Sequence, residues 1–216
     1  MAKFMDETAE RAFHDAVAAI EKASSAEVVV AVRPHANLWM VPTIGLGMIA
    51  AAVALAYALF AEREFSLWAI FSLPALAGTA VALLVLLPPI YRVLLPARLR
   101  DDHVVQAARA TFVERGVHST RARTGVLVYV SLLERRLLLV GDLAFERALG
   151  DDLLDRWERE LGLLIRKGGK AVADALAKHA SEIGRALPHR ADDTNELPDA
   201  VSTVAPRGLR KVRGVR

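Results

Sequence analysis

Apolar and polar positions divide the chain into one long apolar block and flanking segments with periodic patterns. The block occupies residues 38–91 and is interrupted only by the charged triplet 62–64. A helix needs about 20 apolar residues to cross the hydrocarbon core of a membrane, and the segments 38–60 and 65–87 both reach that length. The pattern predicts a transmembrane helical hairpin. Two buried helices of a soluble core are the alternative, although such helices seldom run so long without a charged face.

The segment before the block predicts one helix and one strand. Apolar residues recur at helical spacing at Ala9, Phe13, Val17 and Ile20, which predicts an amphipathic helix over residues 6–24. The run AEVVVAV that follows is β-branched and apolar, as is typical of a buried strand.

The segment after the block alternates helical and strand patterns. Val104, Ala108 and Phe112 predict a second amphipathic helix over residues 101–115. The runs 125–132 and 136–140 predict two strands joined by a tight antiparallel turn.

Two further helices are predicted towards the end of the chain. One has apolar positions from Leu153 to Ile165, is capped by Asp151 and Asp152, and ends at the Gly168-Gly169 pair. The last helix extends to Leu187, and from residue 188 onward the periodicity disappears.

The first strand cannot be stable alone, and its only plausible partners lie beyond the apolar block. We therefore expect a split cytoplasmic domain formed by residues 1–33 and 100–187, interrupted by the hairpin at 38–91 and followed by a tail at 188–216. Because an antiparallel hairpin returns the chain close to where it left, such an insertion is compatible with folding. We expect the hairpin to hold this domain close to the membrane surface.

Charges near the block predict its orientation. Arg33 precedes it and Arg92, Arg98 and Arg100 follow, whereas the connecting triplet carries two glutamates against Arg63. By the positive-inside rule, both ends of the chain are expected in the cytoplasm, in a multi-pass protein of the inner (plasma) membrane. Residues 1–15 contain no apolar signal-peptide region, and the absence of cysteine agrees with a cytoplasmic domain.

The segment TRARTGVLVYVSLLERRLLLVGD at residues 120–142 resembles the TPM domain family, in particular its uncharacterised bacterial membrane-anchored branch. AEVVV at 26–30, Trp157 in an acidic helix and DDTNELPD at 192–199 agree with this resemblance. It implies an α/β fold, an α/β/α sandwich with a small mixed sheet. Some family members are credited with acid phosphatase activity, some bind divalent cations, and others assist membrane complexes without catalysis. This chain departs from the family at Leu143, where a glycine-containing turn usually follows the strand-end aspartate.

The residues themselves contain none of the catalytic signatures that phosphate chemistry would need. No thiolate loop, Asp-x-Asp acceptor or Gly-x-Ser-x-Gly elbow is present, and Gly168-Gly169-Lys170 lacks the other residues of a P-loop. We expect no catalytic or cofactor-binding residues, although a weak divalent-cation-dependent phosphatase remains an alternative.

The densest acidic run offers a candidate metal site. Asp142 and Glu146 follow a predicted strand end, and carboxylates converging from a loop suit Ca²⁺ or Mg²⁺. The alternative is that the acids near them only cap the following helix and face solvent. His103 and His118 flank the second amphipathic helix and are expected to be ordinary surface histidines.

The end of the tail is basic, and no acidic residue follows Asp199. Beside a cytoplasmic leaflet, such a tail suits anionic lipid, worth about 1 kcal/mol per basic residue. A charged but idle tail is the alternative, and the lack of interleaved aromatics argues against nucleic acid. The basic residues concerned are Arg207, Arg210, Lys211, Arg213 and Arg216.

The sequence thus predicts a membrane protein whose α/β domain serves as a non-catalytic accessory or assembly module, with another membrane protein as its partner. An anionic-lipid-surface scaffold is a further alternative.

Overall fold

The structure is a computed structural model that describes residues 4–36, 40–87, 89–90, 93 and 96–189, without the side chains of residues 40–42. Short 3₁₀ turns occur at Val117–Ser119 and Ile165–Lys167. The helices and strands are α1 (Glu7–Ala23), β1 (Glu27–Arg33), α2 (Met40–Phe60), α3 (Leu67–Val85), α4 (Ala97–Glu114), β2 (Gly125–Ser131), β3 (Arg136–Gly141), α5 (Leu143–Leu149), α6 (Asp151–Leu164), α7 (Gly169–Lys178) and α8 (Ala180–Ala186).

The strands form one small mixed sheet in the order β1-β2-β3. β1 and β2 are parallel, with Glu27 opposite Gly125 and Arg33 opposite Ser131, and β3 is antiparallel to β2. The strand before the apolar block therefore pairs with a strand beyond it, as the sequence predicted. The predicted α/β class and the small mixed sheet are confirmed.

Both faces of the sheet are covered by helices. Alternate strand residues such as Val30 and Val128 pack with α1, α6, α7 and α8, where Phe13 and Leu161 are fully buried. The opposite face, which carries Tyr129, packs with Val104 and Ala108 of α4. The alternation follows from the two-residue period of a strand, which sends successive side chains to opposite faces.

Glutamates from the helices cap both edges of this narrow sheet. Glu21 of α1 accepts a hydrogen bond from the Val28 amide of β1 at 3.0 Å. Glu158 of α6 accepts one from the Leu139 amide of β3 at 2.6 Å. An open strand edge invites pairing with another chain, so these carboxylates satisfy donors that would otherwise act as templates.

The described residues of Met1–Ala36 and Val104–Arg216 form one compact unit, and those of Asn37–His103 form the other. The second unit contains the helices α2 and α3, which pack along each other. They approach closely at two glycines: a Cβ atom built on Gly47 would lie 2.9 Å from the Gly78 carbonyl oxygen, and one on Gly78 would lie 2.9 Å from that of Gly47. The two helices therefore contact each other through small residues at these positions.

The structure differs from the sequence predictions at three places outside α2 and α3. α4 begins at Ala97, before the predicted start, and the short helix α5 was not predicted. The last predicted helix is in fact two helices, because α7 ends at its C-cap His179 and α8 begins directly after it.

The Gly168-Gly169 pair separates two helices, as expected from the sequence. Gly168 adopts φ 109°, ends the 3₁₀ turn and precedes α7. The five basic tail residues Arg207, Arg210, Lys211, Arg213 and Arg216, like Arg92, lie outside the described residues.

Candidate functional site

Asp142 lies where β3 ends and α5 begins. Its backbone amide donates to the Gly125 carbonyl at 2.8 Å, which ties the end of β3 to the start of β2. One carboxylate oxygen, Oδ1, accepts from the Leu143 amide at 2.7 Å and caps α5. This first role is structural, because a helix start leaves amides that need acceptors.

The carboxylate of Asp142 also contacts the guanidinium of Arg123. Nη1 of Arg123 lies 3.4 Å from Oδ1 of Asp142, and Arg123 is held in a left-handed conformation with φ 57°. The other carboxylate oxygen, Oδ2, is buried and has no hydrogen-bond partner among the described residues. Asp142 thus presents one satisfied and one unsatisfied oxygen.

Glu146 projects from the first turn of α5 towards the same end of β3. The Gly141 backbone donates a hydrogen bond to its carboxylate, which adds another cap to the sheet edge. Partial burial raises the pKa of Glu146, and the Asp151 and Asp142 carboxylates raise it further. Two neighbouring carboxylates thus disfavour the charge of Glu146, and Arg109 acts in the opposite direction.

The fit of these residues to Ca²⁺ or Mg²⁺ is only partial. The described part of the chain contains no group of three or more His, Asp or Glu side chains placed to hold a metal ion. Asp142 and Glu146 supply carboxylates, but Arg123 competes for the first of them, and Ca²⁺ takes six to eight oxygens. The cation site at Asp142 and Glu146 stays a prediction.

The other sequence candidates have ordinary roles. Gly150, not Asp151 or Asp152, is the N-cap of α6, and the two aspartates lie in its first turn, where they suit the positive end of the helix dipole. The predicted capping by these aspartates is therefore wrong in detail. The His118 ring lies against Phe112, with the ring centroids 6.3 Å apart.

Sequence reasoning missed a polar cluster at the opposite end of the sheet. We call Arg33, Tyr129, Ser131 and Glu134 the strand-end cluster; all four side chains are buried. Sequence patterns read these residues separately, as a membrane-flanking charge, a core aromatic and a turn. The sequence did contain one signal: the charged residue Arg33 stands at the end of the β-branched run of β1. This position matters because ligand sites of α/β sheets lie at the carboxyl ends of parallel strands.

The turn between β2 and β3 holds the chain that leaves β1. The Leu132 amide donates to the Arg33 carbonyl, and the Leu133 amide donates to the Pro34 carbonyl, both at 3.0 Å. Oε2 of Glu134 accepts from the Ala36 amide at 3.2 Å and from the Ser131 hydroxyl. The segment just before the apolar block is therefore fixed to the sheet.

The Tyr129 hydroxyl lies within this charged environment. Burial raises the pKa of Tyr129 to about 12, while the Arg33 charge acts in the opposite direction. The phenol is therefore neutral at physiological pH.

A buried aromatic pair lies elsewhere in the domain. The His179 ring stacks on Trp157, with centroids 4.2 Å apart, and Nε2 of His179 lies 3.9 Å from Glu160. Burial lowers the pKa of His179, which Glu160 and Glu182 only partly offset. Trp157 is buried and belongs to the hydrophobic core.

Comparison with known proteins identifies a similar fold but no family. No protein-family model matches the chain, and no curated protein matches it. The chain is similar to the NMR structure of the BA42 protein from the psychrophilic bacterium Bizionia argentinensis, with a TM-score of 0.56 and 17% identity over 94% of this chain and 98% of that chain. At this identity the likeness concerns the fold alone, so membership of the TPM family stays a prediction.

Proposed function

We propose that α2 and α3 cross a membrane as a hairpin. Both are long and apolar enough, and only 17% of Thr43–Phe60 and 6% of Leu67–Val85 is buried within the protein. Helices of a soluble core would be mostly buried, and water-exposed apolar surface of this extent is unfavourable. A lipid environment removes that cost. This exposed apolar surface is the observation that carries the proposal.

The pairing of β1 with β2 supports an even number of membrane crossings between these two strands. β1 precedes the hairpin and β2 follows it, yet the two strands pair along their whole length. For a hairpin that crosses a membrane, this pairing supports a topology with both flanks on the same side.

The proposed orientation places the sheet in the cytoplasm of a plasma-membrane protein. Arg98 and Arg100 at the start of α4 are basic, whereas the loop between α2 and α3 carries Glu62 and Glu64. Arg33 does not contribute to this bias at the surface, because its side chain is 4% exposed.

We propose that the protein acts as an accessory or assembly module for another membrane protein. The outward residues of the hairpin include the aromatic side chains Trp68 and Phe71. Since the helices meet through glycine, these larger side chains are available to lipid or to helices of a partner. The TPM resemblance adds to this proposal, because some family members assist membrane complexes without catalysis.

The test is purification of the tagged full chain in mild detergent after cross-linking in cells. We expect one membrane protein to co-purify in a fixed stoichiometry. In a matched control, residues 38–91 are replaced by an unrelated two-span hairpin, which keeps the anchor but changes its outer surface. Loss of the partner in this control would assign the contact to the hairpin, and absence of any stoichiometric partner in both would contradict the accessory role.

A divalent-cation-dependent phosphatase is a second candidate function. It is favoured by the unsatisfied Oδ2 of Asp142 beside Glu146. We expect Asp142→Asn to abolish any Mg²⁺-stimulated hydrolysis of a generic phosphomonoester, with Asp174→Asn on the exposed face of α7 as the control. Equal activity of both variants would exclude this site.

A further inference from the structure

The two faces of the sheet are covered unequally. One face packs against four helices, of which α1 buries large apolar side chains such as Phe13 and Ile20. On the opposite face, α4 contributes smaller or less deeply buried side chains, namely Val104, Ala108, Thr111 and the partly buried Phe112. Because the stabilisation from packing grows with the apolar area that is buried, α4 is held on the sheet less firmly than α1.

A buried charge lies on the face that α4 covers. Arg33 shares this strand face with Val29 and Ala31, because side chains alternate along β1, and the face packs with α4. The Nη1 atom of Arg33 is buried without a hydrogen-bond partner in the described part of the chain. The charges of Glu114 and Arg115, at the end of α4 and directly after it, also act on this guanidinium. A buried cation with an unused donor opposes the closed packing, since water would solvate it.

We propose that α4 is a displaceable cover, which leaves the sheet by local unfolding while the sheet and the helices α1, α6, α7 and α8 stay folded. Segments with few buried apolar contacts open first in native proteins, as cooperative units. In the open state, water reaches the Arg33 guanidinium, and the strand face that carries Tyr129 is exposed. The segment that opens is also the helix that follows α3 along the chain. The cover thus makes a buried cation accessible only in the open state, and this inference does not depend on a membrane crossing.

Thiol labelling at two matched positions tests the cover. The chain contains no cysteine, so Ala108→Cys in α4 and Ala16→Cys in α1 each introduce one thiol at a buried alanine, 0% and 1% exposed. The full chain is labelled with a maleimide in detergent, and each rate is divided by that of the same variant unfolded in urea. Ala108→Cys should react at least about tenfold faster than Ala16→Cys, because the second site is reached only when the whole domain unfolds. Equal rates would overturn the proposal.

A destabilising change on the other face of the sheet separates local opening from global unfolding. Ile183 of α8 is buried in the core on that face. Ile183→Val should speed the labelling of Ala16→Cys by about twofold to tenfold and leave that of Ala108→Cys unchanged, because α8 stays in place when α4 opens. An equal acceleration at both positions would show that α4 leaves the sheet only when the whole domain unfolds, which contradicts the proposal.

The buried charge is tested by Arg33→Met, which removes the guanidinium and keeps an apolar stem. This change should slow the labelling of Ala108→Cys, because the closed state no longer confines a cation with an unused donor. Faster labelling would show that Arg33 holds α4 in place and would overturn the role given to the charge. Hydrogen exchange of the unmodified chain is an independent measurement: the amides of residues 104–114 should exchange before those of residues 7–23, and equal protection would overturn the cover.

Discussion

The hairpin and the α/β domain are packed in opposite ways. In the domain, large side chains such as Phe13 and Leu161 are buried between helices and sheet. In the hairpin, Gly47 and Gly78 form a close backbone contact, and large side chains such as Trp68 and Phe71 are exposed. Large apolar side chains thus fill the interior of the domain, whereas small residues form the contact between the two helices of the hairpin.

This difference bears on our proposal that the two regions fold in different solvents. Burying large side chains is favourable in water because it removes apolar surface from it. Lipid chains are as apolar as leucine, so helices within a membrane gain little by burying leucine and associate through close backbone packing instead. The packing of the domain is the one expected from the first rule, and that of α2 and α3 is the one expected from the second, which supports the proposed membrane hairpin.

The largest expected effect comes from placing a charge on an exposed leucine in each region. Leu76 in α3 is 67% exposed and Leu163 in α6 is 77% exposed. Leu76→Arg should cost about 3 kcal/mol in membrane insertion. Leu163→Arg should change stability by no more than about 0.5 kcal/mol, because water solvates the charge.

The fraction of each variant that stays in the membrane pellet after alkaline carbonate extraction measures this effect. We expect Leu76→Arg to shift towards the supernatant and Leu163→Arg to match the wild type. Identical behaviour of the two variants would mean that both leucines face the same solvent.

A smaller effect is expected from adding one methyl group within the hairpin. A Cβ atom at Gly47 would lie 2.9 Å from a backbone oxygen, whereas one at Gly45 would meet nothing within 4 Å. Gly47→Ala should therefore destabilise the hairpin by about 1–3 kcal/mol through overpacking, and Gly45→Ala should not. The SDS concentration that unfolds the full chain measures the difference; equal midpoints would show that the helices do not meet at Gly47.

The smallest effect is the response of the domain to pH. α2 and α3 contain no acidic or basic side chain, whereas the domain buries His179 against Trp157. Burial lowers the pKa of His179 below its ordinary value of 6.5, opposed by Glu160 and Glu182 and aided by Lys178. The unfolded chain then binds the proton more readily, so this contribution to stability is complete above pH 6.5 and decreases as the pH falls below it.

Trp157 fluorescence during urea unfolding, in a background of Trp39→Phe and Trp68→Phe, reports this response. The free energy of unfolding should decrease between pH 7.5 and pH 5.5, and His179→Gln should flatten the decrease. An unchanged slope in His179→Gln would assign the pH response to other groups.

The sequence predicted the parts of the fold that depend on periodicity. The two-residue alternation of β2 and the helical spacing of Phe13 and Ile20 are properties of one segment, so a window of the sequence contains them. The pairing of β1 with β2 followed from elimination, since a strand needs a partner. The short helix α5 was missed because its start depends on a cap by Asp142, which the sequence presented as a metal ligand.

The candidate sites were harder to predict, because they depend on contacts between distant segments. Asp142 was identified from its place after a strand, but its partner Arg123 is supplied by the loop before β2. Glu134 binds the Ala36 amide across the whole apolar block in sequence. No local pattern contains such a contact, and only the parallel register of β1 and β2 brings these residues together.

Single-cysteine labelling tests the central claim that α2 and α3 cross the membrane and return. The chain contains no cysteine, so each introduced cysteine is a unique reporter. In spheroplasts, we predict that a membrane-impermeant maleimide labels Glu64→Cys in the loop between the helices, but labels Asp15→Cys in α1 and Asp174→Cys in α7 only after lysis. Equal labelling of all three positions in intact spheroplasts would contradict the account.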